Sequence, residues 1–149
     1  MDNGVALITG GASGIGFAVA AQLGRAGYTV VVLGRNTESG RQAATALCAS
    51  GIDAVGDGAD FSNHAEVASL RERLGPLAEP EILVCSAGVM SEKMSKTLRT
   101  APDEWDRVLG VNLLGVVNAL AHFAPPMVAA RSGKVIALSA CLGRFSGPG

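Results

Sequence analysis

Two groups of residues in this 149-residue chain are spaced for a particular chemistry. The stretch TGGASGIG places Gly10, Gly14 and Gly16 directly after an apolar run, Val5 to Thr9, and at the head of a helical pattern. Glycines there permit a tight turn and let backbone approach a pyrophosphate, whose charge is met by free N–H groups at the helix start. Roughly 20 residues further on, where such a fold places the group that reads the adenosine ribose, a second apolar run ends in Gly34–Arg35. No Asp or Glu stands at that end to bind a free 2′-hydroxyl. The Arg35 guanidinium is instead a fork suited to a 2′-phosphate. The pattern predicts a dinucleotide site that prefers NADP(H) over NAD(H).

The elements that must hold these groups are legible as an alternation. Val5 to Thr9, Thr29 to Gly34, Glu81 to Gly88 and Lys134 to Ala140 are aliphatic or β-branched with little alternation, and read as strands covered on both faces. Asp53 to Ala59, interrupted by glycines, is a weaker fifth strand. Between them lie helical patterns. The first, Gly14 to Ala26, groups Ile15, Ala18, Val19 and Leu23 on one face; Thr37 to Ser50 follows, then Ser62 to Gly75 with Ser62 at its N-cap. A later helix opens at Pro102, with Asp103 and Glu104 placed for its dipole. Leu113 to Ala130 is apolar nearly all round, which implies burial on more than one side. The expectation is a three-layer, doubly wound α/β domain of Rossmann type over residues 1–149, with a parallel sheet of about five strands. The longest irregular stretch, GVMSEKMSKTLRTAP, follows a strand's carboxyl end, and its Met90, Met94 and Leu98 are candidates to line an apolar pocket.

These residues resemble the short-chain dehydrogenases/reductases. TGGASGIG is similar to that family's TGxxxGIG cofactor loop, a likeness that implies cofactor contacts for Thr9, Gly10, Gly11, Ser13, Gly14, Ile15 and Gly16. ADFS resembles the Asp-hydrophobic pair after the third strand, which would set Asp60 beside the adenine, with Phe61 next to it. CSAG is similar to the NNAG motif and brings Ser86, Ala87 and Gly88 to the site. PDEWDRVLGVNLLG resembles the segment carrying the family's tetrad Asn, here Asn112. The four motifs stand in family order and cover essentially the whole chain.

The resemblance implies hydride transfer between a nicotinamide and the carbon of a small carbonyl or alcohol substrate. In that chemistry a Tyr moves the proton, a Lys lowers its pKa, a Ser holds the substrate oxygen and the Asn orients a relaying water. Aligned on the family's ISSxxG through Gly143, Ser139 takes the first serine position and Ala140 the second, catalytic one; a slip of one residue would set Ser139 there. The YxxxK pair is not in this sequence. Its single tyrosine, Tyr28, has Val32 four residues on and reads as a packing residue. A positioned general acid or base contributes about 10²–10⁴-fold. The expectation is therefore an NADP(H) oxidoreductase whose 149 residues, taken alone and lacking the family's last strands and helices, bind cofactor without turnover. The alternative is a catalytically silent dinucleotide-binding or homologue-pairing module. The Lys134–Ala140 strand is expected as an exposed apolar edge, and the Leu113–Ala130 helix as a homo-oligomer contact.

Composition narrows the field. With 48% hydrophobic residues, a formal net charge of −1 and no Lys/Arg cluster, the chain is not expected to bind nucleic acid or an anionic membrane. The opening MDNGVALITG lacks a basic n-region and long apolar h-region, and no apolar run reaches the length of a span. Cys48, Cys85 and Cys141 form no metal-ligand pattern, and Cys85 and Cys141 sit in apolar runs as small hydrophobes. They suit a reducing cytoplasm, and no metal is expected. His64, in a charged helix start, and His122, on the apolar helix, are assigned no catalytic role.

Overall fold

The computed structural model describes residues 4–91 and 99–140, so Met94, Leu98, Cys141 and Gly143 lie outside it. Five strands form one parallel sheet: β1 (Val5–Thr9), β2 (Thr29–Gly34), β3 (Ala54–Gly58), β4 (Ile82–Cys85) and β5 (Lys134–Ala137), in the order β3-β2-β1-β4-β5. Leu7 stands opposite Val31 on one side and Leu83 on the other, so the aliphatic runs stack in register.

Alternate residues along these strands feed two cores. On one face Leu7, Val31, Leu33 and Leu83 meet Val67, Leu70 and Leu74 of α3 (His64–Leu74), with Ala119 and Phe123 of α5 (Gly115–Phe123). On the other face Ala6, Ile8, Val30, Val32 and Val84 meet Ala20 of α1 (Gly14–Arg25), with Ala43 and Leu47 of α2 (Thr37–Cys48). Burying each larger aliphatic side chain contributes roughly 1.5–3 kcal/mol. This is why β1, β2 and β4 need apolar residues at every position rather than at alternate ones. Tyr28 packs against the second core, partly buried. The glycines that weaken β3 as a sequence signal have a reason here: a Cβ on Gly56 would overlap the Gly40 carbonyl, so α2 seats directly on the strand's backbone.

Several expectations need correction. The cap of α3 is Asn63, whose Oδ1 accepts from Ala65 N at 3.0 Å; Ser62 is spent on Asp60 instead, its Oγ donating to Oδ1 at 2.6 Å. On α1 the buried positions are Gly16 and Ala20, while Ile15 is 66% exposed, because the helix turns its small residues to the sheet. The long apolar helix is not one element. After α4 (Pro102–Leu109) comes a π-helical turn, Gly110–Leu114, then α5, then α6 (Pro125–Ala130). The break falls at Pro125, which has no N–H to continue the helix and starts the next one. Nor is that stretch covered all round: Leu113, Val117 and Val128 are exposed. β5 likewise pairs with β4 but is exposed along its length, with Ile136 at 50%. It is the exposed apolar edge expected of these residues taken alone, rather than the strand covered on both faces that its aliphatic pattern suggests.

Candidate functional site

The chain runs from β1 outward through β2 to β3, then crosses back to place β4 on the other side of β1. Such a reversal opens a crevice at the carboxyl ends of the two central strands, where ligands bind in sheets of this kind. A cleft of about 630 Å³ lies there, within the roughly 300–1,000 Å³ of small-molecule and cofactor sites. Four strand ends contribute to it. Gly10 and Ser13 come from the β1 loop, Arg35 from the end of β2, Asp60 and Phe61 from beyond β3, and Ala87 and Gly88 from beyond β4.

The floor is fixed by Thr9, which is 2% exposed. Its carbonyl accepts from Ser86 N at 3.2 Å and its Oγ1 accepts from Ala87 N at 3.3 Å, so the β1 and β4 loops are tied side by side. Gly10 makes the junction sterically possible. It has φ +65°, and a Cβ there would fall 2.6 Å from Ala87 N. Gly11 donates its N–H to Leu33 O at 3.0 Å, linking the loop to β2, and is buried. Gly16 packs against the Gly10 carbonyl, so Gly11 and Gly16 shape the loop rather than face the cleft. Cys85, opposite Thr9 at the end of β4, is a neutral thiol, burial having raised its pKa to about 11.

The start of α1 meets the requirements of an anion site. Ser13 occupies the N-cap in extended conformation, yet its side chain makes no capping bond. The first-turn N–H groups of Gly14, Ile15 and Gly16 have no intrahelical partner by construction, and the space beside the Gly14 Cα is open. At the β2 end Arg35 is exposed on the cleft wall. Asp60 keeps Oδ1 on Ser62, whose N–H it accepts at 2.9 Å. Behind that loop Asp57 is held by Arg73 through two bonds of 3.1 Å. Burial pushes the Asp57 carboxyl up, but the hydrogen bonds from Arg73, the Gly58 N–H and Thr37 outweigh it and leave the pKa below its ordinary value.

Asn112 lies in the π-helical turn and is committed to the β4 loop. Its Nδ2 donates to Val89 O and its Oδ1 accepts from Val89 N, both at 2.8 Å. Ser139 and Ala140 follow β5, are exposed, and do not line the cleft; the hydrogen bond from Leu138 N to Cys85 O, 3.0 Å, sets them beside the end of β4. Ser39 and Arg107 also line the cleft, though neither was singled out from the sequence. Ser39, in the first turn of α2, donates its Oγ to Asn36 O at 2.9 Å. Arg107 of α4 donates to Met90 O at 2.7 Å and to both Glu104 oxygens, so it spans from helix to β4 loop. The advance signals for Arg107 were its place in the PDEWDRVLGVNLLG segment and its i,i+3 spacing from Glu104. His64 and His122, neither assigned a catalytic role, are brought into contact between α3 and α5, away from the cleft lining.

A parallel sheet with a crevice at its switch point, a glycine loop under it and helices on both faces defines a dinucleotide-binding α/β protein. Comparison with known proteins makes this specific: the family model for short chain dehydrogenase matches residues 4–149, and the chain belongs to that family. It is 39% identical to glycine betaine reductase ATRR of Emericella nidulans, over 97% of this chain and 11% of that protein. It is 33% identical to 3-oxoacyl-[acyl-carrier-protein] reductase FabG of Staphylococcus aureus, over 97% of this chain and 58% of that one. The chain thus spans little more than half of the reductase and a small part of the larger protein. Among solved structures, a metagenomic short-chain oxidoreductase in complex with NADP matches with TM-score 0.88 and 32% identity, over 98% of this chain and 66% of that one. A 3-oxoacyl-[acyl-carrier protein] reductase with bound NAD from Brucella melitensis has the same TM-score and identity, over 99% and 57%. Among the described residues no helix is long and apolar enough to cross a membrane, and no three or more His, Cys, Asp or Glu gather as a metal site.

Proposed function

We propose that this chain is the cofactor-holding part of an NADP(H)-dependent oxidoreductase acting on a small carbonyl or alcohol substrate. The observation that carries the reading is the cleft itself: an uncapped α1 start beside open space at Gly14, with Arg35 on the same wall. In it the pyrophosphate would meet the N–H groups of the Ser13–Gly16 loop, Asp60 and Phe61 would flank the adenine, and Ser86–Gly88 would bound the nicotinamide side. The bound cofactor supplies or accepts the hydride. Thr9 keeps the two loops at one separation, and the Asn112 side chain clamps Val89 so that the β4 loop does not collapse into the space. As tetrad member, Asn112 would orient a proton-relaying water; Ser139, next along from β5 and outside the cleft lining, would hold a substrate oxygen only if it, and not Ala140, takes the family's second serine position.

Arg35 supports NADP(H) over NAD(H), since it offers a 2′-phosphate a charge-assisted fork worth about 1.5–3 kcal/mol, or roughly 10- to 100-fold in affinity. The 149 residues alone bind without turnover, because Tyr28 is packed against the core instead of facing the cleft. The exposed side of Leu113–Ala130 is the homo-oligomer contact. The free thiols of Cys48 and Cys85 suit a reducing cytoplasm.

Fluorescence titration with NADPH and NADH tests this. NADPH should bind roughly 10- to 100-fold more tightly, and Arg35→Ala should erase the difference without touching NADH affinity. Equal affinities in the parent chain would refute the cofactor preference, and no binding of either would refute the site. Oxidation of NADPH by the 149 residues with an aldehyde or ketone would refute the claim of silence.

A further inference from the structure

On the α3–α5 seam, three side chains meet that the proposed reaction leaves unused. His64 opens α3, while Asn118 and His122 lie four residues apart on α5 and so share one helix face. His64 Nδ1 stands 3.3 Å from His122 Nε2 and 3.4 Å from Asn118 Oδ1. The Asn118 amide is locked in that orientation, because its Nδ2 donates to Phe61 O at 2.8 Å.

We infer that His64, His122 and Asn118 form a site for a first-row divalent cation of the Zn²⁺ kind, held by two imidazole nitrogens and an amide oxygen with water completing the shell. Zinc takes its nitrogen and oxygen ligands at about 2.0–2.2 Å in tetrahedral geometry, which spaces neighbouring donors on the order of 3.3–3.5 Å apart. Both measured separations match that edge. The i,i+4 pair on α5 has the spacing that helical zinc ligands use, and the third donor arrives from a second helix. The rings, with centroids 4.5 Å apart and tilted by 48°, need to swing slightly outward so that both lone pairs converge.

Metal ligation requires the neutral imidazole. Burial, then the neighbouring charges of His64 and Arg71, hold the His122 pKa below the ordinary value, so that ring is unprotonated at neutral pH. Arg71, which donates to the carbonyls of His122 and Ala78, also opposes an incoming cation and sets the affinity below that of a three-histidine site. Imidazole donors select Zn²⁺, Cu²⁺ or Ni²⁺ over Mg²⁺. An ion here would pin α3 to α5, and with it the Phe61 backbone on one flank of the cleft.

The test is titration of ZnCl₂ into the full chain carrying Cys48→Ser, so that the exposed thiol does not compete. One equivalent should bind, MgCl₂ should not, and His64→Gln and His122→Gln should each weaken binding at least roughly tenfold. Because the chain has only these two histidines, their imidazole proton resonances read the site directly without any substitution. Both should move with one equivalent of zinc. Unmoved resonances, or a His64→Gln variant that binds like its parent, would overturn the inference. Cofactor binding at the cleft is read separately, so neither result bears on the oxidoreductase proposal.

Discussion

Gly10 carries two constraints at once, and they separate experimentally from those on Gly14. Both residues have positive φ, +65° and +54°, which costs any L-side chain about 1–2 kcal/mol. Only at Gly10 does a Cβ also meet backbone, 2.6 Å from Ala87 N and 2.7 Å from Ala87 Cα, atoms that cannot swing aside as a side chain would. Gly10→Ala should therefore cost roughly 2–4 kcal/mol and separate the β1 and β4 loops, with loss of cofactor binding. Gly14→Ala should cost no more than about 1–2 kcal/mol, since nothing lies within 4 Å of its Cβ. Urea denaturation of the two variants measures this, and equal costs would mean that the tie between the loops is not what Gly10 protects.

At the scale of elements, the α3–α5 seam should make stability depend on pH. The His122 imidazole lies below its ordinary pKa, chiefly through burial and then through the charges of His64 and Arg71, with the neutral Asn118 amide facing His64 beside it. The folded chain thus binds fewer protons than the unfolded one as pH falls through the ordinary imidazole value, 6.5. The contribution of the seam is complete above that value and is lost as pH drops through the folded one. Thermal melts from about pH 8 to pH 5 should show a falling midpoint in metal-free buffer, and His122→Gln should flatten the upper part of the fall. An unchanged slope would remove His122 from the account. Nothing in the sequence announced this seam, because His64 and His122 lie 58 residues apart and only the packing of α3 on α5 joins them. The strands were legible for the opposite reason: β1, β2 and β4 are covered on both faces, so nearly every residue of each records its burial. Where two local options competed, the sequence did not choose between them, as with Ser62 and Asn63 at the α3 cap, or the π-helical turn inside an unbroken apolar pattern. The cleft was readable through its motif residues, whereas Ser39, outside every motif, reaches it only by tertiary placement.

For the molecule as a whole, the two halves of the sheet differ in cover. β1 and β2 lie under helices on both faces, while β5 at the opposite edge from β3 presents Val135, Ile136 and Leu138 at 45%, 50% and 37% exposure. On α5 and the turn before it, Leu113, Leu114 and Val117 are each at least half exposed. An edge strand and a helix face this apolar together exceed what soluble surfaces scatter singly, and such a surface favours association. The 149 residues in isolation should therefore sediment well above their 15.0 kDa monomer mass. A Leu113→Glu, Val117→Glu pair should shift the chain toward monomer. Because both positions are exposed, that pair should change monomer stability by no more than about 0.5 kcal/mol per site. That separation is what makes the measurement informative: a loss of association with an unchanged melt locates the contact on α5, whereas association that survives both charges locates it at the β5 edge. A parent chain that sediments as a monodisperse 15.0 kDa species with a cooperative melt would mean that the exposed face is tolerated in water, and the homo-oligomer proposal would fall with it.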